Sequence, residues 1–288
     1  MQPFSLPALF TAFLLATLLA VRAMKKKRLT KSGAIAGWIV GFLLVATGLR
    51  GLTLFFFYQI GSMATKVGLK VKNDRDATTR DHSVRGATQV LAVSVLAVAL
   101  SLWHAMGCGV ERSLSTSLDP LATSLSLAIL AHHATCLGDT LASELGMLAS
   151  QPPRLVLPPF VVVPAGTNGG MTLWGTLWSG VGGALCGLFQ IGMDVISGIS
   201  PLNGPRIIAF AGLCGLLGSF LDSIMGATLQ ATYYDTDSKL VYHSDKHPAS
   251  VKRVGIGRDV LTNEQVNFVS VAATSYLGGW VIGPLIFP

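Results

Sequence analysis

Charge is scarce in this chain. Only 12% of its 288 residues are Asp, Glu, Lys or Arg and 51% are hydrophobic, whereas a soluble domain carries roughly 25% charged residues. With a mean hydropathy of +0.58, that imbalance excludes an ordinary soluble globule. Acids are scarcer than bases, 14 against 21, which leaves a net charge of +7. The excess does not point to a nucleic-acid partner. Lys and Arg fall in the gaps between apolar runs, as the positive-inside rule demands of a membrane protein. Cysteine is limited to Cys108, Cys136, Cys186 and Cys214, all in or beside apolar segments and none in a Cys-x-x-Cys. Buried thiols are therefore expected, not a disulfide framework or a thiolate metal site. The glycine-rich segment Gly166–Gly170 lacks the Gly-Lys-Ser/Thr of a Walker A loop. The histidines (His82, His104, His132, His133, His243 and His247) form no Ser/His/Asp arrangement. His243 and His247 have the spacing of a helical metal pair, but no Glu follows His243 and Pro248 closes the segment. No long polar linker divides the chain, so 1–288 reads as a single polytopic membrane domain.

What the chain does have is a series of apolar runs, at 3–21, 32–49, 51–65, 87–107, 120–137, 172–198, 205–232 and 266–286. They imply an all-α, multi-pass transmembrane helix bundle of about 7–8 spans, some short or tilted. The first run precedes the basic Lys25–Arg28, whereas a cleaved signal peptide has its charge in front. Residues 1–24 therefore read as an uncleaved anchor helix with its N-terminus outside. No Arg/Ser-rich leader precedes it, so a transit peptide is not expected. Residues 32–65 are interrupted only by Arg50-Gly51. A single helix there would put segments 22–31 and 66–86, each with six Lys/Arg, on opposite faces. A hairpin near Arg50 puts both in the cytosol. Segments 150–171 and 233–262 join them, and Arg50, Arg112 and Arg206 stay outside. The cytosolic loops are then 66–86 and 233–262.

A possible internal repeat fits the hairpin: Arg50 to Lys66 and Arg206 to Asp222 both span 16 residues. Small residues spaced by four precede each arm (Gly33, Gly37, Gly41; Gly175, Ser179, Gly183, Gly187), a pattern that lets helices approach closely. Duplicated membrane units often hold their site between them.

This topology gathers the polar motifs on one face. Asp139 and Ser143 in Asp139-Thr140-Leu141-Ala142-Ser143-Glu144 share a helix face. Glu144 lies about 140° further round. Two readings stay open. The carboxylates hold Mg²⁺ together with phosphate oxygens, which requires a helix that begins near Thr140 or is locally unwound, or Asp139 caps a helix N-terminus with Glu144 in its first turns. Asp222, Gly226 and Gln230 line one face of an otherwise apolar span. A carboxylate at that depth is costly unless it is paired or used. Asp194, by contrast, reads as a structural hydrogen-bonded group. Gly166, Thr167, Asn168, Gly169 and Gly170 form a turn whose N–H groups suit an anion. Lys66 and Lys70 share a face, and either offset phosphate charge or meet lipid headgroups. The tract from Lys72 to Arg85, with Asp74, Asp76 and Asp81, reads as a plain polar loop. Lys25–Arg28 is assigned to topology. His132-His133 read as packed groups, and Trp174, Trp178 and Trp280 as packing or interface aromatics.

These motifs resemble those of the integral membrane family that includes transmembrane protein 19 and the plant phytyl-phosphate kinase. Its signatures look like Thr-Lys-x-Gly-x-x-x-Lys, Asp-Thr-x-x-Ser-Glu-x-Gly, Gly-Thr-Asn/Ser-Gly-Gly and Asp-Ser-x-x-Gly-Ala-x-x-Gln. Here they correspond to Thr65–Lys72, Asp139–Gly146, Gly166–Gly170 and Asp222–Gln230, with Val266-Asn267-Phe268 before the last span. The resemblance runs from about Lys31 to Ser270. Gly138 stands where alanine is common and Leu141 where tryptophan is. The segment Leu261-Thr262-Asn263-Glu264-Gln265 lacks the usual Asp-Asn.

The resemblance implies phosphoryl transfer from a nucleoside triphosphate, CTP, to a prenyl monophosphate. Asp139, Glu144 and Asp222 are expected to hold Mg²⁺. Gly166–Gly170, with Ser143 and Asn267, are expected to hold the nucleotide, and Lys66 or Lys70 to offset negative charge. The expected partners are the lipid bilayer, an isoprenoid phosphate and a nucleotide, and the expected organelle is the endoplasmic reticulum. A cytidylyltransferase, or a transporter of small or phosphorylated solutes, is the alternative.

Overall fold

A computed structural model of the chain describes residues 1–76, 84–243 and 251–288. Asp81, His82 and His247 lie outside the described residues. The protein is a multi-pass helical bundle. Among the described residues, five helices are long and apolar enough to cross a membrane. These are α1 (Leu6–Lys25), α7 (Pro120–Gly146), α8 (Leu173–Ile196), α9 (Gly204–Leu229) and the C-terminal span from Asn263 to Ile286. The C-terminal span is α10 (Asn263–Tyr276), a π turn at Leu277–Ile282 and α11 (Gly283–Ile286).

The other expected spans are shorter. Segment 32–65 is α2 (Lys31–Thr47), a 3₁₀ turn (Leu49–Leu52) and α3 (Thr53–Ala64). It is a hairpin, because Phe55 folds back until its ring meets the backbone at Gly41. At 12 residues, α3 reaches only about 18 Å, short of a bilayer core. Segment 87–107 breaks at Val93-Ser94 into α5 (Ala87–Ala92) and α6 (Val95–Gly107). The two arms of the supposed repeat also differ in detail: Arg50 is buried and Arg206 exposed, and the paired helices have unequal lengths.

Helix α7 is the axis of the bundle. Within its most apolar window 89% of residues are buried, against 39% for α8 and α9. Asp119 starts it by accepting the Ala122 N–H at 3.2 Å, with Pro120 in the first turn. The spans then alternate in direction. Gly175 at the start of α8 lies beside Gly146 at the end of α7, and Gly187 lies beside Ile207 near the start of α9. Phe287 returns to the start of α7, accepting from the Thr116 N–H at 2.9 Å. The helices touch at backbone level. A Cβ added at Gly183 would sit 2.1 Å from the Ala211 carbonyl oxygen, so only glycine permits this α8–α9 approach. By contrast, α1 fully buries only its alanines, Ala8, Ala12, Ala16 and Ala23, packs Leu9 and Leu15 against the cluster of Ala12, Val45 and Ala46, and leaves Phe10, Leu14 and Leu18 exposed. That apolar remainder suits contact with lipid.

The two ends of the bundle differ. At one, Arg50 donates to Asp194 at 2.7 Å, to Ser126 Oγ at 2.9 Å and to the Arg112 carbonyl at 2.9 Å. Its backbone N–H reaches Glu111 at 3.0 Å. Asp194 is thus the structural group that its position suggested. Burial pushes the Glu111 carboxyl above its ordinary value, with the Arg50 charge pulling the other way. At the opposite end the segments expected to be loops carry structure. These are α4 (Leu69–Asn73), the β1–β2 pair (Arg154–Leu155, Gly170–Met171), and an antiparallel sheet of order β4-β3-β5 (Leu240–Tyr242, Thr232–Asp235, Lys252–Val254). The small sheet is a local addition to an otherwise helical protein.

Candidate active site

Where α7 and α9 end and α8 and α10 begin, the bundle opens into a polar cleft of about 570 Å³. Asp139, Ser143, Glu144, Gly166–Gly170, Asp222 and Asn267 all line it. Helix α7 is unbroken through Asp139 and Glu144 to Gly146. This corrects both local expectations: no helix begins near Thr140, and Asp139 is not an N-cap. The carboxylates instead sit near the C-terminal end of α7, where the helix dipole is unfavourable to anions. Something must offset that, and the loop after α3 does so. Lys72, 1% exposed, reaches Glu144 while donating to the Ala64 carbonyl at 2.9 Å and the Thr65 carbonyl at 3.4 Å. Arg75 donates to the Met147 carbonyl just past the end of α7.

Asp139 and Asp222 form the central pair. Ser219 of α9 donates to Asp139 at 3.3 Å, and Ser270 of α10 donates to Asp222 at 3.4 Å. Both carboxylates line the same cleft. Glu144 does not join them, because Lys72 engages it. Among the described residues no three His, Cys, Asp or Glu side chains are grouped to hold a metal ion. A Mg²⁺ site of two carboxylates completed by phosphate oxygens and water still fits Asp139 and Asp222, whose side-chain partners are neutral hydroxyls that do not compete with a cation. A three-carboxylate site with Glu144 does not.

The glycine loop docks against α9 one turn beyond Asp222. Gly169 has φ +74°, and a Cβ there would meet the Ala227 Cβ at 2.3 Å, so glycine is required on both counts. The loop is a weaker anion cradle than its sequence suggests. Its Thr167 N–H is bonded to Pro164 O, its Asn168 N–H to Thr232 Oγ1 and its Gly170 N–H to Thr167 O. Its two side chains are committed as well, the Thr167 hydroxyl donating to the Pro164 carbonyl at 2.7 Å and the Asn168 amide to the Ala231 carbonyl at 3.3 Å, so the Gly166 and Gly169 N–H groups are what the loop offers a ligand.

Lys66 and Lys70 are exposed and do not line the cleft. The cations that do are Arg75 and Arg85, joined by the imidazole of His243, all in segments read as plain loops. Lys72 was legible in one respect, since it closes the Thr-Lys-x-Gly-x-x-x-Lys pattern. Choosing Lys70 for sharing a face with Lys66 passed over it. Gln230, marked in the sequence on one face with Asp222 and Gly226, does line the cleft, whereas Ser219 and Ser270 had no separate signal beyond lying near the acidic motifs.

Comparison with known proteins now decides the family. The family described as Integral membrane protein DUF92 matches residues 14–275. The chain belongs to this family. It is 36% identical over 282 residues to Protein PGR of Arabidopsis thaliana, covering 93% of this chain and 94% of that protein. The uncharacterized membrane protein MJ0933 of Methanocaldococcus jannaschii is 27% identical over 281 residues, covering 97% and 94%. Protein VTE6, chloroplastic, also of Arabidopsis thaliana, is 27% identical over 208 residues, 70% of this chain and 56% of that protein. No solved structure matches. As a DUF92 member the chain is an integral membrane protein. One relative is chloroplastic by name, so the relatives lend no support to the endoplasmic reticulum.

Proposed function

We propose that this DUF92 member is a membrane-embedded kinase that transfers the γ-phosphoryl group of a nucleoside triphosphate, CTP by preference, to a prenyl monophosphate. The observation that carries the reading is the Asp139–Asp222 pair facing one polar cleft at the end of a membrane bundle. The resemblance of its motifs to those of the plant phytyl-phosphate kinase supplies the substrate class. The cleft faces the cytosol, where the basic segments lie and nucleotide is present.

The acceptor is a phosphate oxygen, with second pKa about 6, so it is ionised at neutral pH without a general base. That suits a site without a catalytic histidine. An acceptor oxygen bonds to the γ-phosphorus, the bond to the β-phosphate oxygen breaks, and the nucleoside diphosphate leaves with that electron pair. Asp139 and Asp222 would hold Mg²⁺, which would neutralise phosphate charge when bound. The chain's own contribution is positioning. The Gly166–Gly170 loop and Asn267 bound the phosphate chamber. Lys72 and Arg75 fix the end of α7 so that Asp139 keeps its place. The prenyl tail lies along the apolar helices below the cleft.

The test is direct. Purified protein in detergent or nanodiscs receives farnesyl monophosphate, Mg²⁺ and γ-labelled CTP. Labelled farnesyl diphosphate is expected, and Asp139→Asn or Asp222→Asn lowers its rate by at least about 100-fold, the scale of a lost electrostatic contact at the reacting group. Pyrophosphate release with CMP left on the lipid would make the enzyme a cytidylyltransferase. Solute movement across liposomes without nucleotide consumption would make it a transporter. Unchanged rates in both Asn variants would remove the metal assignment.

A further inference from the structure

A cleft built around two carboxylates repels phosphate, and beside any Mg²⁺ that the pair would hold, an anionic substrate gains from a protein cation with nothing else to hold. The basic side chains at and behind the cleft wall can be sorted by their partners. Arg75 is engaged by the Met147 carbonyl at the end of α7. His243 leans on Asp76 at 3.6 Å. Lys72, behind the wall, is held by Glu144 and two carbonyls. Arg85 differs: among the described residues its guanidinium makes no ion pair or hydrogen bond, and it lines the cleft half-buried.

The backbone of Arg85 is nonetheless held firmly. Its N–H donates to the Arg28 carbonyl at 3.0 Å, and its own carbonyl accepts the Thr30 N–H at 3.1 Å. This short parallel bridge between Leu29 and Arg85 sits on the start of α2. A Cβ added at Gly33 would lie 2.4 Å from the Arg85 carbonyl oxygen, so the first glycine of the α2 ladder makes room for the Arg85 strand. A fixed backbone beneath an uncommitted guanidinium is the arrangement expected of a preorganised oxyanion contact.

We infer that Arg85 is the residue that binds a substrate phosphate group in this cleft, acting as the counter-charge opposite Asp139 and Asp222. The assignment rests on the kinase reading for the identity of the phosphate but not for its chemistry, which a prenyl monophosphate and a nucleoside triphosphate share.

The test measures binding and turnover separately. Full-length protein, wild type, Arg85→Ala, Arg85→Lys and Gly33→Ala, is titrated with farnesyl monophosphate and, in a separate arm, with CTP. A circular-dichroism spectrum and an elution profile report folding. Arg85→Ala is expected to weaken at least one probe by about 10- to 100-fold, the scale of a lost charged hydrogen bond. Arg85→Lys is expected to recover part of that loss, since it keeps the charge but not the fork. Gly33→Ala, which displaces the Arg85 backbone, should show a smaller loss on the same probe. The arm that loses affinity identifies which phosphate Arg85 holds. If a folded Arg85→Ala protein binds both probes as wild type does, the assignment is overturned. If wild type binds a probe through Arg85 yet forms no diphosphate, the kinase reading fails and the Arg85 assignment stands. If wild type binds neither probe, both are overturned.

Discussion

Glu111 and Asp194 are two carboxylates on one arginine, and they contribute differently. Asp194 receives the Arg50 side chain at 2.7 Å with both partners buried. Removing one partner strands the other, so Asp194→Asn should cost about 3–5 kcal/mol. The measurement is apparent Tm by tryptophan fluorescence in a fixed detergent. Among the described residues Glu111 accepts a hydrogen bond from the Arg50 backbone N–H alone, and its buried Oε2 has no partner. Because burial raises its pKa in the fold, its protonated form contributes stability that is fully present below the ordinary carboxylate value and is lost as pH rises through the raised one. The Gln carbonyl still accepts the Arg50 N–H, so Glu111→Gln should remove this decline, which sets in as pH rises above the ordinary carboxylate value. A Tm that falls as steeply in the variant as in wild type would show that another group is responsible.

At the scale of elements, the apolar runs, the turn at Arg50 and the convergence of acidic and glycine motifs were all legible, because hydropathy and charge report directly on membrane depth. The course of α7 was not. Thr140 to Glu144 contains enough polar residues to imitate a surface turn, yet Leu141, Ala142 and Glu144 are good helix formers, and burial against α8 and α9 carries the helix on to Gly146. The cations were hidden for a different reason. Lys72 meets Glu144 across 72 residues of sequence, and no local spacing encodes such a pair. Close helix approach was half legible: a glycine ladder marks a packing face but not its partner. The structure supplies the partner and with it a prediction. Gly183→Leu would drive a side chain into the Ala211 carbonyl and separate α8 from α9, costing more than the about 1–3 kcal/mol of ordinary overpacking. The yield of monodisperse protein should collapse, whereas Gly192→Leu, with nothing within 4 Å of its Cβ position, should purify normally. Equal yields would mean that the two helices are not held at backbone contact.

For the whole molecule, the decisive relation is between helix length and bilayer thickness. At 27 residues, α7 is about 40 Å long, some 10 Å more than a hydrocarbon core. Asp139 is the eighth residue from its end, so a span set in the bilayer from Pro120 leaves the carboxylate pair near headgroup depth. On the proposed kinase reading, a lipid phosphate would reach the cleft there while its tail remained among the helices, and a water-soluble nucleotide would enter from the polar side. A midplane site would serve a transporter better. The same geometry puts Ser117 and Thr262, both exposed, on opposite sides: Ser117 precedes α7 at the Arg50 end, and Thr262 caps α10 at the cleft. With Cys136, Cys186 and Cys214 buried and Cys108 partly so, a Cys108→Ser background leaves no reactive native thiol. A membrane-impermeant maleimide applied to intact cells should then label Ser117→Cys and spare Thr262→Cys until the membrane is permeabilised. Labelling of both from outside would break the single-faced arrangement, and the opposite order would turn the cleft away from the cytosol and from its nucleotide supply.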